Sequence, residues 1–198
     1  MNIIFLDIDG VLLTYQPSLM DNRIQYGYDA NVLHAFLSIL ERSPEPCKIV
    51  LVSKHVIKQD PYAWIQDAHL LDRFRKLLHP EMPSIEWKYV HEDRYTGIAK
   101  WLKEYGQYVN KSIAIDDSLR DYIEKDKELL SSEFYLIPCR TAYGMHWVEL
   151  KLLEYLLKPV LKKTDKDFIK EYLYFGFVYD NKQEIVDFWN RTINHICE

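Results

Sequence analysis

A chain of 198 residues that is 48% hydrophobic is long enough for one domain with a modest addition, and apolar enough to bury a core. Its formal net charge of −5 argues against a nucleic-acid binder that works through a basic field. No run reaches the roughly 18 apolar residues of a membrane span, and three widely spaced cysteines suggest reduced thiols in a cytoplasmic compartment, with signal-less export left open.

The chain opens with a strand-like apolar run over 3–6 rather than a basic-plus-apolar secretion signal. That run ends in Asp7, with Asp9 and Gly10 close behind. Asp29 reads as the N-cap of a helix whose core face is Val32, Leu33, Phe36, Leu37 and Leu40. The sequence Ser43-Pro44-Glu45-Pro46 ends it. A second short β-branched run over 48–53 stops at Ser53. Asp60-Pro61 predicts a helix start that runs towards His79-Pro80. Residues 85–90 predict a third strand. Ile98, Trp101, Leu102 and Tyr105 then recur at helical spacing. Residues 112–116 predict a fourth strand, 134–138 a fifth, and 146–157 a helix that covers the sheet. Strands alternating with helices predict an α/β fold, a doubly wound five-stranded parallel sheet flanked by helices. Residues 1–158 form this domain. Residues 159–198 read as a lysine-rich connector, an aromatic stretch and an amphipathic helix over 181–196. This C-terminal extension is expected to pack on the core, the alternative being a partner or membrane-proximal surface.

The chemistry concentrates at strand ends. Side chains at i and i+2 of a strand point the same way, so Asp7 and Asp9 could converge at the tip of the first strand. Two close carboxylates repel unless a cation intervenes, and a hard divalent ion such as Mg²⁺ suits oxygen ligands. One Asp could attack an electrophile while the other moves a proton. The plainer alternative is a turn with two solvated acids. Ser53 and Asp116 end two further apolar runs, which puts all three tips at the carboxyl edge of a parallel sheet, where open α/β sheets build their sites. Asp117 and Ser118 also suit a helix N-cap. Lys54 and His55 read as ordinary solvated residues after a strand.

The run Asp7-Ile8-Asp9-Gly10-Val11 resembles the first motif of the haloacid dehalogenase (HAD) superfamily, Asp-x-Asp-x-Thr/Val after an apolar strand. The stretch Ser112-Ile113-Ala114-Ile115-Asp116-Asp117-Ser118 resembles its fourth motif. The resemblance implies a HAD-like Rossmannoid fold and a phosphatase that forms an aspartyl-phosphate. It implies Asp7 as nucleophile, Asp9 as general acid/base, and Ser53 as the hydroxyl that bonds the transferring phosphoryl group. It also implies a Mg²⁺ site built on Asp7, Asp9 and Asp116, with Asp117 as a supporting or alternative ligand. The family places a cation near the start of the helix before the fourth motif. Arg94, 22 positions ahead of Asp116, is the first choice, with Lys54, Lys88 and Lys100 as alternatives.

Only 18 residues separate Leu12 from Asn31, and 40 separate Ser53 from Arg94. Neither gap holds a cap domain, so the resemblance implies a capless member with an open site. Open members act on macromolecules such as phosphoproteins and nucleic-acid ends. The acidic charge favours a phosphoprotein, phosphorylated on tyrosine or on serine/threonine, over a nucleotide, a nucleic-acid end or a small phosphometabolite. A cysteine phosphatase would need Cys, five residues, then Arg. Cys47 has Ser53 at that position, Cys139 has Met145, and Cys197 is followed only by Glu198. The rival of another kind is a non-catalytic HAD-fold binding protein.

Overall fold

The first strand is buried along its whole length, so both faces of the sheet are covered. The computed structural model describes residues 1–17, 24–57, 60–118, 122, 134–139, 144–160, 162, 164 and 167. In chain order its strands are β1 (Asn2–Leu6), β2 (Leu13–Pro17), β3 (Ile24–Tyr28), β4 (Cys47–Leu51), β5 (Lys111–Asp116) and β6 (Phe134–Pro138). The helices are α1 (Ala30–Glu41), α2 (Ala68–Leu77), α3 (Trp87–Glu92), α4 (Arg94–Tyr105) and α5 (Trp147–Leu156), with a 3-10 turn at Lys54–Ile57.

Four strands form one parallel sheet in the order β4-β1-β5-β6. Leu6 stands level with Leu51 on one side and Ile115 on the other. The strands therefore all release their chains at one edge. The ladder runs one residue further there, with Val52 N donating to Leu6 O at 3.0 Å and Asp7 N donating to Ile115 O at 3.0 Å. The strands β2 and β3 make a separate antiparallel hairpin between β1 and α1.

The helices cover the sheet with the apolar faces that their spacing implied. Asp29 caps α1 by accepting from the Asn31 and Val32 amides, and Leu33, Phe36, Leu37 and Leu40 are buried. Val32, read as part of that face, is only partly buried and packs against the core. Arg73 on α2 grips Glu41 on α1 through two bonds of 2.9 and 2.6 Å. The α4 indole of Trp101 stands edge-on to Phe5 of β1, ring centres 5.4 Å apart, and edge-on to His79 at 5.0 Å. These contacts seat α4 against the sheet.

Three expectations are corrected. The parallel sheet has four strands among the described residues, not five. Residues 85–90 do not form the third strand: only an isolated bridge joins Ser84 to Leu51, and the chain then coils into α3. Leu51 N donates to Pro83 O at 2.8 Å and Ile85 N donates to Leu51 O at 3.0 Å, a pairing onto β4 that goes no further because α3 begins at Trp87. The helix expected from Asp60-Pro61 starts later, at Ala68, because the Asp67 carboxylate caps it by accepting from the His69 and Leu70 amides. Asp60 instead holds a turn by accepting from the Tyr62 amide. The expected packing of the 159–198 extension lies almost wholly outside the described residues. No helix among the described residues is long and apolar enough to cross a membrane.

Gly97 fixes how α3 and α4 meet. A Cβ there would come within 2.6 Å of Tyr89 Cβ and 2.8 Å of Ile85 Cδ1. Overpacking of this kind costs about 1–3 kcal/mol. Gly97→Val is expected to lower unfolding free energy by about that amount, read by urea denaturation, and an unchanged midpoint would show that the α3–α4 contact can yield.

Candidate active site

Asp7 is the first residue past β1, and its side chain is 1% exposed. Its Oδ1 accepts from the Ile8 amide at 2.7 Å. Asp116 is the last residue of the neighbouring strand β5 and is fully buried. Two buried carboxylates on adjacent strand tips require compensation. Arg94, the first residue of α4, supplies it. A single guanidinium nitrogen, Nη1, donates to Asp7 Oδ2 and to Asp116 Oδ1, each at 2.7 Å. Its Nε donates to Val90 O at 3.4 Å, which holds the arm against the end of α3. Asp116 has two more donors: the Ser118 amide on Oδ1 and the Tyr122 hydroxyl on Oδ2, both at 2.8 Å.

The electrostatics follow from that packing. Burial, reinforced by the charge of Asp116, pushes Asp7 up to about 7, while Arg94 and the Ile8 amide pull the other way. Burial also raises Asp116 against the pull of Arg94, the Ser118 amide and Tyr122. For Arg94, burial disfavours the charge, but Asp116 and Asp7 outweigh it and hold the guanidinium protonated. Burial and the Asp116 charge keep the Tyr122 hydroxyl protonated, so it acts as a donor. Burial likewise raises the Cys139 thiol, which leaves it a poor nucleophile.

Asp117 completes a cluster. One carboxylate oxygen from each of Asp7, Asp116 and Asp117 lies within 4.8 Å of the others. Room for the third comes from Gly10, which has φ +74° and whose missing Cβ would collide with the Asp117 carboxylate. With all three ionised, as metal binding requires, three carboxylates against one guanidinium leave two negative charges over. Hard oxygen donors, a divalent excess of charge and a space cleared by glycine all fit Mg²⁺.

The other residues singled out from sequence fall in two groups. Ser53 is fully buried beyond β4, and its Oγ accepts from the His55 amide at 3.4 Å. Asp9 stands apart from the three-carboxylate cluster. Its side chain is 40% exposed and its Oδ1 lies 3.1 Å from His55 Nε2. His55, read as a solvated residue, is 4% exposed. The alternative cations lie elsewhere: Lys88 pairs with Glu86 at 2.8 Å, Lys100 reaches the same carboxylate at 3.6 Å, and Lys54 is exposed. Tyr122 was not anticipated. Its only sequence signal is a position six residues after a strand-end Asp, and an aromatic there reads equally well as core. The N-cap alternative for Asp117 and Ser118 turns on residues that lie almost wholly outside the described ones.

Removing one partner of a buried ion pair strands the others and costs about 3–5 kcal/mol. Arg94→Met is expected to destabilise the protein by about that amount without added metal, measured by urea denaturation. A loss below about 1 kcal/mol, the range of an exposed pair, would contradict the buried bridge. Saturating Mg²⁺ at about a hundred times its dissociation constant should stabilise the wild type by about 2.7 kcal/mol. Asp117→Asn should reduce that gain, seen as a smaller rise in melting temperature; an identical rise would remove Asp117 from the metal site.

Residues 3–150 match the family described as the HAD domain in Swiss Army Knife RNA repair proteins. Comparison with curated proteins and with solved structures finds no match. The matched span runs from β1 into α5 and takes in both strand-tip acids and the arginine between them. The chain belongs to the HAD superfamily, in the family of HAD domains found in Swiss Army Knife RNA repair proteins.

Proposed function

We propose that this chain is a Mg²⁺-dependent phosphatase that removes a terminal phosphate monoester from RNA. The observation that carries the phosphatase reading is the single Arg94 nitrogen shared by Asp7 and Asp116, with Asp117 beside them. That arrangement keeps a nucleophilic carboxylate and a metal-binding carboxylate together and leaves a charge deficit of two for a cation. The RNA reading rests on the description of the matched family. That description favours the nucleic-acid alternative over the phosphoprotein that the acidic composition suggested. A net charge of −5 limits binding along a nucleic-acid backbone, but an end-directed enzyme needs only a local cationic seat for one phosphate.

Asp7, Asp116 and Asp117 would hold Mg²⁺, which supplies positive charge to the phosphoryl oxygens when bound. Asp7 attacks phosphorus in line with the ester oxygen. The new bond joins Asp7 to phosphorus as the phosphorus–oxygen bond of the leaving group breaks. The departing oxygen keeps that electron pair and takes a proton from Asp9. A water molecule then attacks phosphorus, gives a proton to Asp9, and releases inorganic phosphate and the Asp7 carboxylate. Ser53 and Arg94 offer hydrogen bonds to phosphoryl oxygens as charge builds there. Uncatalysed monoester hydrolysis is slow enough that accelerations up to ~10²¹ are known. One donor is worth about 3 kcal/mol, so the groups must act together.

The test uses short RNAs bearing a 5′- or 3′-phosphate, their DNA counterparts, and phosphopeptides. Phosphate release from RNA ends with Mg²⁺ present is expected, with loss on chelation by EDTA and loss to background in Asp7→Asn. Release from phosphopeptides alone would overturn the RNA reading. Turnover in Asp7→Asn at the wild-type rate would overturn the nucleophile.

A further inference from the structure

We infer that His55 is a positioning residue for the proton-transfer step, and that it works by holding the Asp9 carboxylate in place. The inference rests on the phosphatase reading above and concerns the one acid of that reading which the buried cluster does not hold.

Asp9 differs from Asp7 and Asp116 in its surroundings. Its backbone is fixed, because residues 9 and 13 form an isolated bridge and the Gly10 amide donates to Leu13 O at 2.8 Å. Its side chain is 40% exposed, however, and an exposed carboxylate has several rotamers open to it. A general acid must lie within hydrogen-bond reach of the atom it protonates, so a contact that limits those rotamers raises its efficiency. The His55 side chain is 6% exposed and lies 3.1 Å from Asp9 Oδ1 through Nε2. It is anchored from a different strand. Its chain leaves β4 through Val52, whose amide is bonded to Leu6 O, and through Ser53, whose Oγ accepts from the His55 amide. One turn after β4 thus presents both the buried hydroxyl at Ser53 and the ring that meets Asp9. The imidazole is the more buried partner of this contact and the carboxylate the more exposed, so the ring is the side that sets where the two meet. With Nε2 carrying the proton, it donates to the Asp9 carboxylate in the state that receives a proton from water. With Nε2 bare, it accepts from the Asp9 acid in the state that serves the leaving group.

A ring that only fills space would affect every substrate alike. A ring that positions Asp9 matters most where the leaving oxygen needs a proton. The test compares a phosphorylated RNA end, whose alcohol leaves poorly, with p-nitrophenyl phosphate, whose phenolate leaves unaided. General acids contribute about 10²–10⁴-fold. His55→Leu is expected to lower the single-turnover rate of ester cleavage on the RNA end by at least about tenfold and to alter single-turnover release of p-nitrophenolate by about twofold or less, while the later hydrolysis step, shared by both esters, slows alike for the two. His55→Gln, which keeps a polar nitrogen at similar reach, should recover most of the loss. Should the leucine variant fail to fold, His55→Asn carries the test, because its shorter amide should show the same selective loss. In an Asp9→Asn background, replacing His55 should have no further effect on kcat. Equal loss in the cleavage step on both esters, no loss on either, or no recovery with glutamine would overturn the role of His55 while leaving the phosphatase standing. A wild-type chain that turns over neither ester would overturn both.

Discussion

Two carboxylates on neighbouring strand tips cannot both be buried and charged without a cation between them, and Arg94 is that cation. Its Nη1 meets Asp7 and Asp116 at the same distance, 2.7 Å. That symmetry constrains much of the fold. The β1–β5 register must place Leu6 level with Ile115 so that the two acids emerge together. The helix α4 must begin where its first residue can point between them. Trp101, wedged against Phe5 and His79, fixes the depth of that helix, and Gly97 lets α3 lie close beside it. Burial raises both carboxylates, so the arginine does not relieve the site fully. It leaves a region that still favours a further positive charge, which suits a metal and a phosphoryl group arriving together.

The parts legible in the sequence were those with a strong local signature. An apolar run that stops at an acid marks a buried strand reaching a site, and both Asp7 and Asp116 carry that mark. Asp29 before an apolar helical face marks the start of α1. The parts that were not legible depend on partners far along the chain. Residues 85–90 have the composition of a strand, yet pairing onto β4 stops at the Ile85–Leu51 bond and the rest coils into α3, where Tyr89 packs beside Gly97. Asp60-Pro61 looked like a helix start as much as Asp67 does; only the bonds formed by each carboxylate separate a turn from a cap. The choice of Arg94 came from where the resembled family places a cation, but its bridging of two acids requires the sheet register. Tyr122 and His55 act through side chains of other elements, and nothing adjacent to them announces it.

The acids of the site divide by burial, and the division matches the division of labour proposed for them. Asp7, Asp116 and Asp117 gather where the chain is tightest, with Gly10 making the room. Asp9, two residues from Asp7, faces outward across the turn. A nucleophile and metal ligands gain from a fixed, dry setting. A group that must both give and take a proton gains from access to water. Strand alternation would have put Asp7 and Asp9 side by side; the chain leaves the strand at Asp7 and forms a tight loop, and the two separate.

That loop is closed from the far end of the domain. The Met145 amide donates to Val11 O at 2.7 Å, and Gly144 adopts φ +67° at a place where a Cβ would crowd Val11 O. The segment after β6 thus stitches the turn that carries Asp9 and Gly10. More than a hundred residues of chain separate Val11 from Met145, so this loop takes its shape from a contact that only the folded domain supplies. A chain that has lost the segment after β6 would keep its strand-tip acids yet lack the stitch that sets the turn between them.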